Sequence, residues 1–363
     1  MATRRPTRRT LATVLAATTA SLLLSACGDQ TAAGQGIDGS GAGAGSGSGA
    51  AKSDAPLFAK LPADIRAAGV IKVGTDATYA PMEFVENGKI VGVDPDVAAA
   101  LGKHLGVRFE FTSGTFDSLI TSLNSGRQDI VMSSMNDTLA RQQGLDDKGQ
   151  KTGNGVDFVD YFVAGTVVYV HKGNPQQIRS IADLCGKKTA VQRGTIFEEA
   201  AKNRSKECEA SGKPAIAIES FPTDAEAQTR VKAGGAVAGV NDYPVAAYLA
   251  LKADGGNAFE VVGNQIEAGP FGIAVAKDNP ELRDALKAAL AACVADGSYQ
   301  KALDKWGGGG RLGERQHRLL TRPRAHRRAV AVTDALHQSP ARPSRPFRCA
   351  IPDAGQAEPS WSR

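Results

Sequence analysis

The side chain with the clearest potential for ligand chemistry is Arg141, which lies nine residues beyond the end of a strand-like run, 129–132. A guanidinium is planar and offers a fork of donors that matches a carboxylate with two parallel hydrogen bonds, which a lysine cannot do. Asp76 and Asp242 carry the opposite charge. A cation and an anion that meet in one cleft could hold the two poles of a small zwitterion, and every buried charge would then be paired.

Each of these residues also has an ordinary structural explanation. Arg141 could be a solvated arginine in a surface salt bridge. Asp76 and Asp242 could be capping or loop carboxylates, and Phe116 could be a core side chain. The residue types alone therefore leave the binding and the structural interpretations open.

Motifs of enzyme active sites do not occur in the sequence, which contains no HExxH, no GxSxG and no Cys–His constellation. His104 falls in a predicted amphipathic helix and His171 beside a predicted turn, so both are expected to be structural or exposed. We therefore expect no cofactor and no metal ion.

The body of the chain, residues 56–310, is long enough for two ordinary domains. Short β-rich runs alternate with helical stretches, which predicts crossover connections and mostly parallel sheets. Ligands of such sheets lie outside the carboxyl ends of the strands, so two facing α/β lobes would form a cleft. The predicted strands are 70–73, 107–111, 129–132, 165–170, 188–191, 215–219 and 271–276, and the predicted helices are 94–105, 116–123, 197–210, 225–233, 244–252, 280–296 and a last stretch that ends at 306.

Two helix starts carry capping signals. Asp94 is followed by Pro95, the pattern of an N-cap with proline at the first helical position. Thr223 and Glu226 have the spacing of a capping box.

The N-terminus predicts export. The apolar run Leu11 to Leu24 follows four arginines and ends in Leu24-Ser-Ala-Cys27. A basic start, a short apolar core and small residues before the cleavage point are typical of a secretory signal, and fourteen residues are too few to span ~30 Å of hydrocarbon. The ending resembles the lipobox of bacterial lipoproteins, which implies a signal peptide at 1–26 and a lipid anchor on Cys27. An ordinary signal peptide with a chance cysteine is the alternative.

The two ends of the chain explain its net charge of +5. Residues 1–55 contribute +2 and residues 311–363 contribute +7, so the body carries +5 − 2 − 7 = −4. A mildly acidic body does not have the positive charge that is typical of nucleic-acid-binding proteins. Residues 27–55 comprise the cysteine and a Gly/Ala/Ser linker typical of a flexible tether. The arginine-rich tail, 311–363, is either a disordered segment that contacts anionic lipid or the out-of-frame translation of a gene end.

The cysteines divide by their position in the chain. Cys185 and Cys208 are the natural disulfide pair of an exported body, because a metal site there lacks His or Cys at ligand spacing. Cys293 falls on the apolar face of a predicted helix and is expected to be a buried thiol, and Cys349 lies in the tail.

Between residues 68 and 306 the sequence resembles the amino-acid-type (family 3) extracytoplasmic solute-binding proteins of ABC transporters. Nine segments carry the resemblance in the family's order and spacing. They are Ile71-Lys-Val-Gly-Thr-Asp-Ala-Thr-Tyr-Ala-Pro-Met-Glu-Phe84, 91–97, 116–120, 125–129, 156–161, Ala190-Val-Gln-Arg-Gly-Thr195, Asn241-Asp242, 269–274 and 296–299. The resemblance implies a two-lobe, periplasmic-binding-protein-like (Venus flytrap) α/β fold, with lobe 1 at 56–163 and 268–310 and lobe 2 at 164–267.

The resemblance also implies roles for particular residues. Arg141 matches the position that binds the ligand's carboxylate and Asp242 the position that accepts its ammonium group. The helix that opens at Thr195 would offer backbone N–H groups to the carboxylate. Further polar contacts are implied for Ser134 and Asn136, and contacts with the ligand's side chain for Asp76, Tyr79 and Phe116.

The function implied by the family is capture of a polar or charged amino acid and its delivery to an ABC permease. The protein would be a monomer on the outer face of the cytoplasmic membrane. The alternatives are an enzyme of the cyclohexadienyl or arogenate dehydratase type and a ligand-sensing module. Segment 142–155 is longer than is typical of the family and could be a flap at the cleft or a surface loop. Ile196 and Phe197 stand where polar residues are frequent in relatives, which leaves the ligand's side chain open.

Overall fold

The computed structural model describes residues 53–146 and 148–307, except for the side chain of Glu267. The predicted signal peptide 1–26, the lipidation site Cys27, the linker up to residue 52 and the tail 311–363 lie outside the described residues. Within the described part, no helix is both long enough and apolar enough to cross a membrane.

Eleven strands form two sheets in the described residues. In chain order they are β1 Val70–Thr75, β2 Thr78–Tyr79, β3 Glu83–Glu86, β4 Lys89–Val91, β5 Arg108–Ser113, β6 Ile130–Val131, β7 Val156–His171, β8 Lys188–Gln192, β9 Ala217–Phe221, β10 Ala238–Asp242 and β11 Phe259–Ala276. The large sheet has the order β5-β1-β6-β11-β7-β10-β8-β9, and β2, β3 and β4 form a small antiparallel sheet.

Nine α-helices cover the sheets in the same part of the chain. They are α1 Ala63–Ala68, α2 Val93–Leu105, α3 Leu119–Asn124, α4 Leu139–Gln143, α5 Ile196–Ala210, α6 Asp224–Lys232, α7 Tyr243–Lys252, α8 Pro280–Ala295 and α9 Ser298–Asp304. Four 3₁₀ turns lie at Phe58–Lys60, Phe116–Ser118, Ile181–Leu184 and Ala253–Gly256. The predicted helices are therefore all present, with ends that shift by a few residues.

The long antiparallel strands β7 and β11 connect the two halves of the large sheet. At one end Ala274 and Val275 of β11 pair with β6, and at the other end Thr166–Val170 of β7 pair with β10. Strands β1, β5 and β6 are parallel on one side, and β8, β9 and β10 are parallel on the other. We call the β1–β5–β6 part lobe 1 and the β8–β9–β10 part lobe 2. The predicted two-lobe α/β fold is confirmed.

The pairing of β7 with β11 is irregular near the middle. Its register shifts at three points between Val262 and Gly272. The predicted lobe boundaries, 163/164 and 267/268, fall inside these two strands and stay predictions. The irregular pairing supports them, because a ribbon with broken register bends more easily than a regular one.

Both connecting strands are longer than the sequence predicted. β11 begins at Phe259, whereas the sequence predicted a start at Phe271. The prediction missed the first part of the strand because Gly263, Gln265 and Pro270 interrupt the apolar pattern that marks a strand. Gly263 has a φ of +75°, and a Cβ there would lie 2.6 Å from the carbonyl oxygen of Arg179. Pairing with β7 therefore overrides weak local signals.

The predicted N-cap at Asp94 is wrong. Gly92, with a φ of +138°, precedes α2, and Asp94 lies inside the helix with a buried carboxylate. That carboxylate accepts hydrogen bonds from the hydroxyl of Tyr161 at 2.6 Å and from the backbone N–H of Ser134 at 3.0 Å. The capping box of Thr223 and Glu226 is confirmed at the start of α6.

The predicted disulfide between Cys185 and Cys208 is present, with Cα atoms 5.6 Å apart. It joins the end of a 3₁₀ turn to the last turn of α5, within lobe 2. Cys293 is an unpaired, buried thiol on α8, as predicted.

Loss of this disulfide should lower the thermal stability of the protein. The chain-entropy model gives about 3 kcal/mol for a loop of this length, which for a body of this size corresponds to a fall in Tm of about 6–12 °C. The variant Cys185→Ser/Cys208→Ala can be compared with the wild type by calorimetry, with and without a reductant. The reductant should lower the Tm of the wild type only, and a wild type that melts at the same temperature under both conditions would contradict the prediction.

Candidate ligand-binding site

A small cavity of about 10 Å³ lies between the two lobes. It sits where β1, β6, β8 and β10 end, because the carboxyl ends of parallel strands meet at one edge of each half-sheet. The lining residues are Asp76, Tyr79, Glu83, Phe116, Ser133, Ser134, Asn136, Gln192, Thr195, Phe197 and Asp242.

The cavity brings together seven of the eight residues predicted from the sequence: Asp76, Tyr79, Phe116, Ser134, Asn136, Thr195 and Asp242. The eighth, Arg141, does not line the cavity itself, but its guanidinium lies over the ring of Phe116, 5.3 Å from the ring centre. The ligand-binding role of each residue stays a prediction.

Arg141 is anchored from both lobes. It lies on α4, whose N-cap Thr138 accepts the backbone N–H of Arg141. Its Nη1 donates to the carbonyl of Asn136 at 2.8 Å and its Nη2 donates to the carbonyl of Gly194 at 3.1 Å. Removal from water lowers the pKa of Arg141 to about 10, although nearby carboxylates, Asp242 first among them, oppose the shift. The guanidinium therefore stays charged at neutral pH.

Asp242 ends β10 and is buried. The hydroxyl of Tyr79 lies 2.8 Å from Asp242 Oδ2 and 2.5 Å from Asn241 Oδ1, and its single proton can be donated to one of them at a time. Burial, and then the charge of Asp224, raise the pKa of Asp242 to about 8, against the hydrogen bond from Tyr79 and the charge of Arg141.

Two buried polar atoms on the cavity lining have no hydrogen-bond partner among the described residues. One is an acceptor, Asp242 Oδ1, and the other is a donor, Asn136 Nδ2. Buried polar groups are nearly always paired, and leaving one unpaired costs about 1–3 kcal/mol. The cavity thus offers one acceptor and one donor that a bound molecule could satisfy.

Asp76 follows β1 and receives contacts from both lobes. Its Oδ1 accepts from the hydroxyl of Thr78 at 2.8 Å, and its Oδ2 accepts from Nε2 of Gln192 at 2.5 Å. Burial raises the pKa of Asp76 despite these hydrogen bonds. Gln192 was not among the predicted site residues, although it belongs to the motif Ala190–Thr195.

Glu83 adds a buried carboxylate that the sequence analysis missed. It accepts hydrogen bonds from the hydroxyls of Ser133 at 2.9 Å and Ser134 at 3.3 Å. Burial and the charge of Asp94 raise the pKa of Glu83. The hydroxyl of Ser134 is thus hydrogen-bonded to Glu83. The backbone of Ser134 lies in the left-handed region, with a φ of +45°. Glu83 follows Met82 in the segment Ile71–Phe84, the first of those that resemble the family, and this position is the sequence feature that could have identified it.

A second hydrogen-bond network, formed by Asn241 and Asp224, supports Asp242. Nδ2 of Asn241 lies 3.0 Å from Oδ1 and 2.9 Å from Oδ2 of the buried Asp224, whereas Oδ1 of Asn241 accepts the backbone N–H of Asp242 at 2.8 Å. Burial raises the pKa of Asp224 to about 7. Asn241 is fixed at both ends of its amide and holds Asp242 and Tyr79 in place.

Thr195 begins α5 as the sequence predicts. Its hydroxyl accepts the backbone N–H of Glu198 at 3.3 Å and donates to the carbonyl of Gln192 at 2.6 Å. Phe197, the second residue of the helix, is buried against the cavity and was not predicted as a site residue.

The lobes are closed on each other in this structure. Tyr79 of lobe 1 contacts Asp242 of lobe 2, Asp76 contacts Gln192, and Arg141 contacts the carbonyl of Gly194. The predicted cation and anion therefore lie on opposite sides of a shut cleft.

Segment 142–155 folds back on the end of α4. The backbone N–H of Thr152 donates to the carbonyl of Gly144 at 2.8 Å, and Leu145 pairs with Lys151. Of its described residues, none lines the cavity.

The fold and this site define a bacterial extracellular solute-binding protein. The chain belongs to the bacterial extracellular solute-binding proteins, family 3, whose sequence model matches residues 71–309.

Three proteins illustrate what the chain is similar to. The ABC transporter arginine-binding protein 1 of Escherichia coli (strain K12) is 32% identical over 260 residues, which cover 69% of this chain and 96% of that protein. The structure of an ancestral arginine-binding protein bound to arginine is 38% identical, with a TM-score of 0.58, and the match covers 66% of this chain and 98% of that one. An ancestral amino-acid-binding protein, a precursor of cyclohexadienyl dehydratase, is also 38% identical, with a TM-score of 0.57 and a match that covers 67% and 97% of the two chains. The protein is thus an extracytoplasmic amino-acid-binding protein.

Proposed function

We propose that the protein is the substrate-binding component of an ABC importer and that it captures a polar or charged amino acid, with a cationic amino acid such as arginine as the best fit. The observation that carries the proposal is the unpaired carboxylate oxygen of Asp242 on the cavity lining, with the guanidinium of Arg141 close by. The name of the Escherichia coli relative supports the transporter assignment and the ligand class.

The proposed ligand is held at its two poles. Arg141 uses two of its five N–H donors on backbone carbonyls, so donors remain for the ligand's carboxylate. The ammonium group would satisfy Asp242 Oδ1, and Asn136 Nδ2 would donate to the carboxylate. Both poles are then paired inside a cleft from which water is largely excluded.

The preference for a cationic side chain follows from the charge balance of the lining. Asp76, Glu83 and Asp242 line the cavity, and all three have raised pKa values because burial disfavours their charged forms. A second positive charge on the ligand would stabilise an ionised Asp76, whereas an acidic side chain would meet further carboxylates. Phe116 and Tyr79 offer flat apolar surface to the ligand's carbon chain.

Closure of the lobes is the proposed mechanism. A ligand that bridges Arg141 and Asp242 interacts best when the lobes are together, so binding shifts the open–closed equilibrium by that differential affinity. The permease would then recognise the closed form.

An enzyme of the dehydratase type is the second candidate. It is favoured by the similarity to a precursor of cyclohexadienyl dehydratase and by the buried carboxyl groups Glu83 and Asp242, whose raised pKa values suit proton transfer. Turnover of a prephenate-like acid, abolished in Glu83→Gln, would support this function.

A screen of the twenty amino acids tests the binding function directly. We expect the purified protein to gain thermal stability with arginine, lysine or histidine, because a ligand at 100 times its Kd stabilises the folded state by about 2.7 kcal/mol. Glutamate and aspartate, whose side chains carry the opposite charge, serve as controls and should give no shift. A flat response to all twenty would contradict the proposed function.

We also propose that Cys27 carries the lipid anchor and holds the protein on the outer face of the cytoplasmic membrane. The lipobox-like ending Leu24-Ser-Ala-Cys27 supports this proposal. Mass spectrometry of the mature N-terminus should show a diacylglycerol on Cys27, and a free thiol there would contradict it.

A further inference from the structure

We propose that Arg193 and Asp117 form an ion pair across the cleft that stabilises the closed lobes and raises ligand affinity without touching the ligand. The pair joins Nε of Arg193, at the end of β8 in lobe 2, to Oδ2 of Asp117, in the 3₁₀ turn Phe116–Ser118 of lobe 1, at 2.6 Å. The inference rests on the proposed function, because it concerns closure of the same site.

The sequence neighbours of the pair place it at the point where the lobes meet. Gln192, before Arg193, donates to Asp76, and Gly194, after it, accepts a hydrogen bond from Arg141. Three consecutive residues of lobe 2 therefore contact three residues of lobe 1. Neither Arg193 nor Asp117 lines the cavity, so neither touches a ligand held there.

The backbone at this point is packed closely against lobe 1. Gly194 has a φ of +75°, and a Cβ at this position would lie 3.0 Å from Cβ of Asp117. Opening of the cleft would separate Asp117 from both Arg193 and Gly194. The ion pair is therefore a property of the closed state and contributes to the open–closed equilibrium rather than to the stability of either lobe.

The surroundings of Asp117 favour its charged form. Desolvation alone would raise the pKa of Asp117, but the hydrogen bond from Arg193, a hydrogen bond from Thr115 and the charge of Arg193 together lower it. The Arg193 and Asp117 side chains are 48% and 30% exposed, so water screens their attraction. Exposed pairs of this kind contribute little, and we expect a change in ligand affinity of about two- to fivefold.

The experiment measures the affinity for L-arginine by calorimetry in the full chain and its variants. Asp117→Asn and Arg193→Gln should each weaken binding about two- to fivefold. The affinity of the double variant should be no lower than that of the single variant with the lower affinity, because both substitutions remove the same contact. Arg193→Lys should bind nearly as the wild type does, because the contact uses one N–H of the guanidinium and a lysine can supply one. Without ligand, the melting temperatures of all variants should stay within about 4 °C of that of the wild type, because an exposed pair contributes little to global stability.

A matched control lies within lobe 2. Glu219 pairs with Arg230 at 2.5 Å, and these two side chains are 26% and 37% exposed. Arg230 donates to both carboxylate oxygens of Glu219, and Glu219→Gln weakens this exposed contact, which does not cross the cleft, so the affinity of the variant should equal that of the wild type. Equal affinities in Asp117→Asn, Arg193→Gln and the control would overturn the inference.

A second measurement separates this inference from the proposed function. A wild type that binds none of the twenty amino acids would contradict the proposed function. The distance between spin labels on the two lobes then decides on the ion pair. It should be longer on average in Asp117→Asn and Arg193→Gln than in the wild type and in Glu219→Gln, and equal distances in all four proteins would overturn the inference.

Discussion

Replacement of Arg141 by alanine should lower the affinity for the amino-acid ligand by about two to four orders of magnitude. The variant leaves the ligand's carboxylate without a cation inside a closed cleft, and breaking one side of a buried pair costs about 3–5 kcal/mol. It also removes the donors to the carbonyls of Asn136 and Gly194. Calorimetry with L-arginine on the purified protein measures the effect.

Two further variants show whether the guanidinium itself is responsible. Arg141→Lys keeps the charge but loses the fork of donors, so its affinity should lie between those of the wild type and Arg141→Ala. Arg108→Ala removes an exposed arginine from β5 and should leave the affinity unchanged. If Arg141→Ala binds the ligand as tightly as the wild type does, the carboxylate is bound elsewhere and the proposed site is wrong.

Local signals in the sequence predict the two lobes, whereas the resemblance to the family predicts most of the residues that line the cavity. Alternating strands and helices mark α/β lobes, and Asp76, Thr195 and Asp242 each stand at the end of a strand or the start of a helix. The carboxyl ends of parallel strands converge, which is why residues that the resemblance implied for one site lie in one cleft although they are far apart in the chain.

The features that the sequence analysis missed depend on partners distant in the chain. Glu83 takes its place from Ser133, 50 residues away, and Gln192 from Asp76, 116 residues away. A glutamate or a glutamine has no local pattern that distinguishes such a partner from water. The wrong N-cap at Asp94 has the same cause, since the hydroxyl of Tyr161, 67 residues away, binds the carboxylate that would otherwise cap α2.

Long-range pairing also explains the unexpected length of β11. Gly263 and Pro270 weaken the strand signal locally, yet β7 supplies pairing partners from Phe259 to Ala276. The polar and flexible residues lie at the irregular part of the ribbon that runs between the lobes. A hinge requires residues that permit a bend, and such residues interrupt the apolar pattern by which a strand is recognised in a sequence. For this reason the first part of β11 was not predicted.

Asp242→Asn should lower the affinity for L-arginine by about two orders of magnitude or more at pH 8, because the ammonium group then meets a neutral amide in a buried site. It should also remove most of the pH dependence of binding. The pKa of Asp242 is raised to about 8 in the closed protein, first by burial and then by the charge of Asp224. Most of this carboxyl is therefore protonated at pH 7.

The sign of the pH effect follows from linkage. An ammonium group favours the ionised carboxylate, so binding should release about one proton at pH 7, and the affinity should rise by up to about tenfold per unit between pH 6 and 8. Asp76, Glu83 and Asp224 also have raised pKa values and remain in the variant, so whatever slope Asp242→Asn retains is their combined contribution. Calorimetry in buffers of different ionisation enthalpy counts the protons, and Asp284→Asn, an exposed carboxylate, is the control. A wild-type affinity that stays constant from pH 6 to 8 would mean that Asp242 is already ionised before the ligand arrives, and hence that in solution the empty lobes stand open with this carboxylate in water.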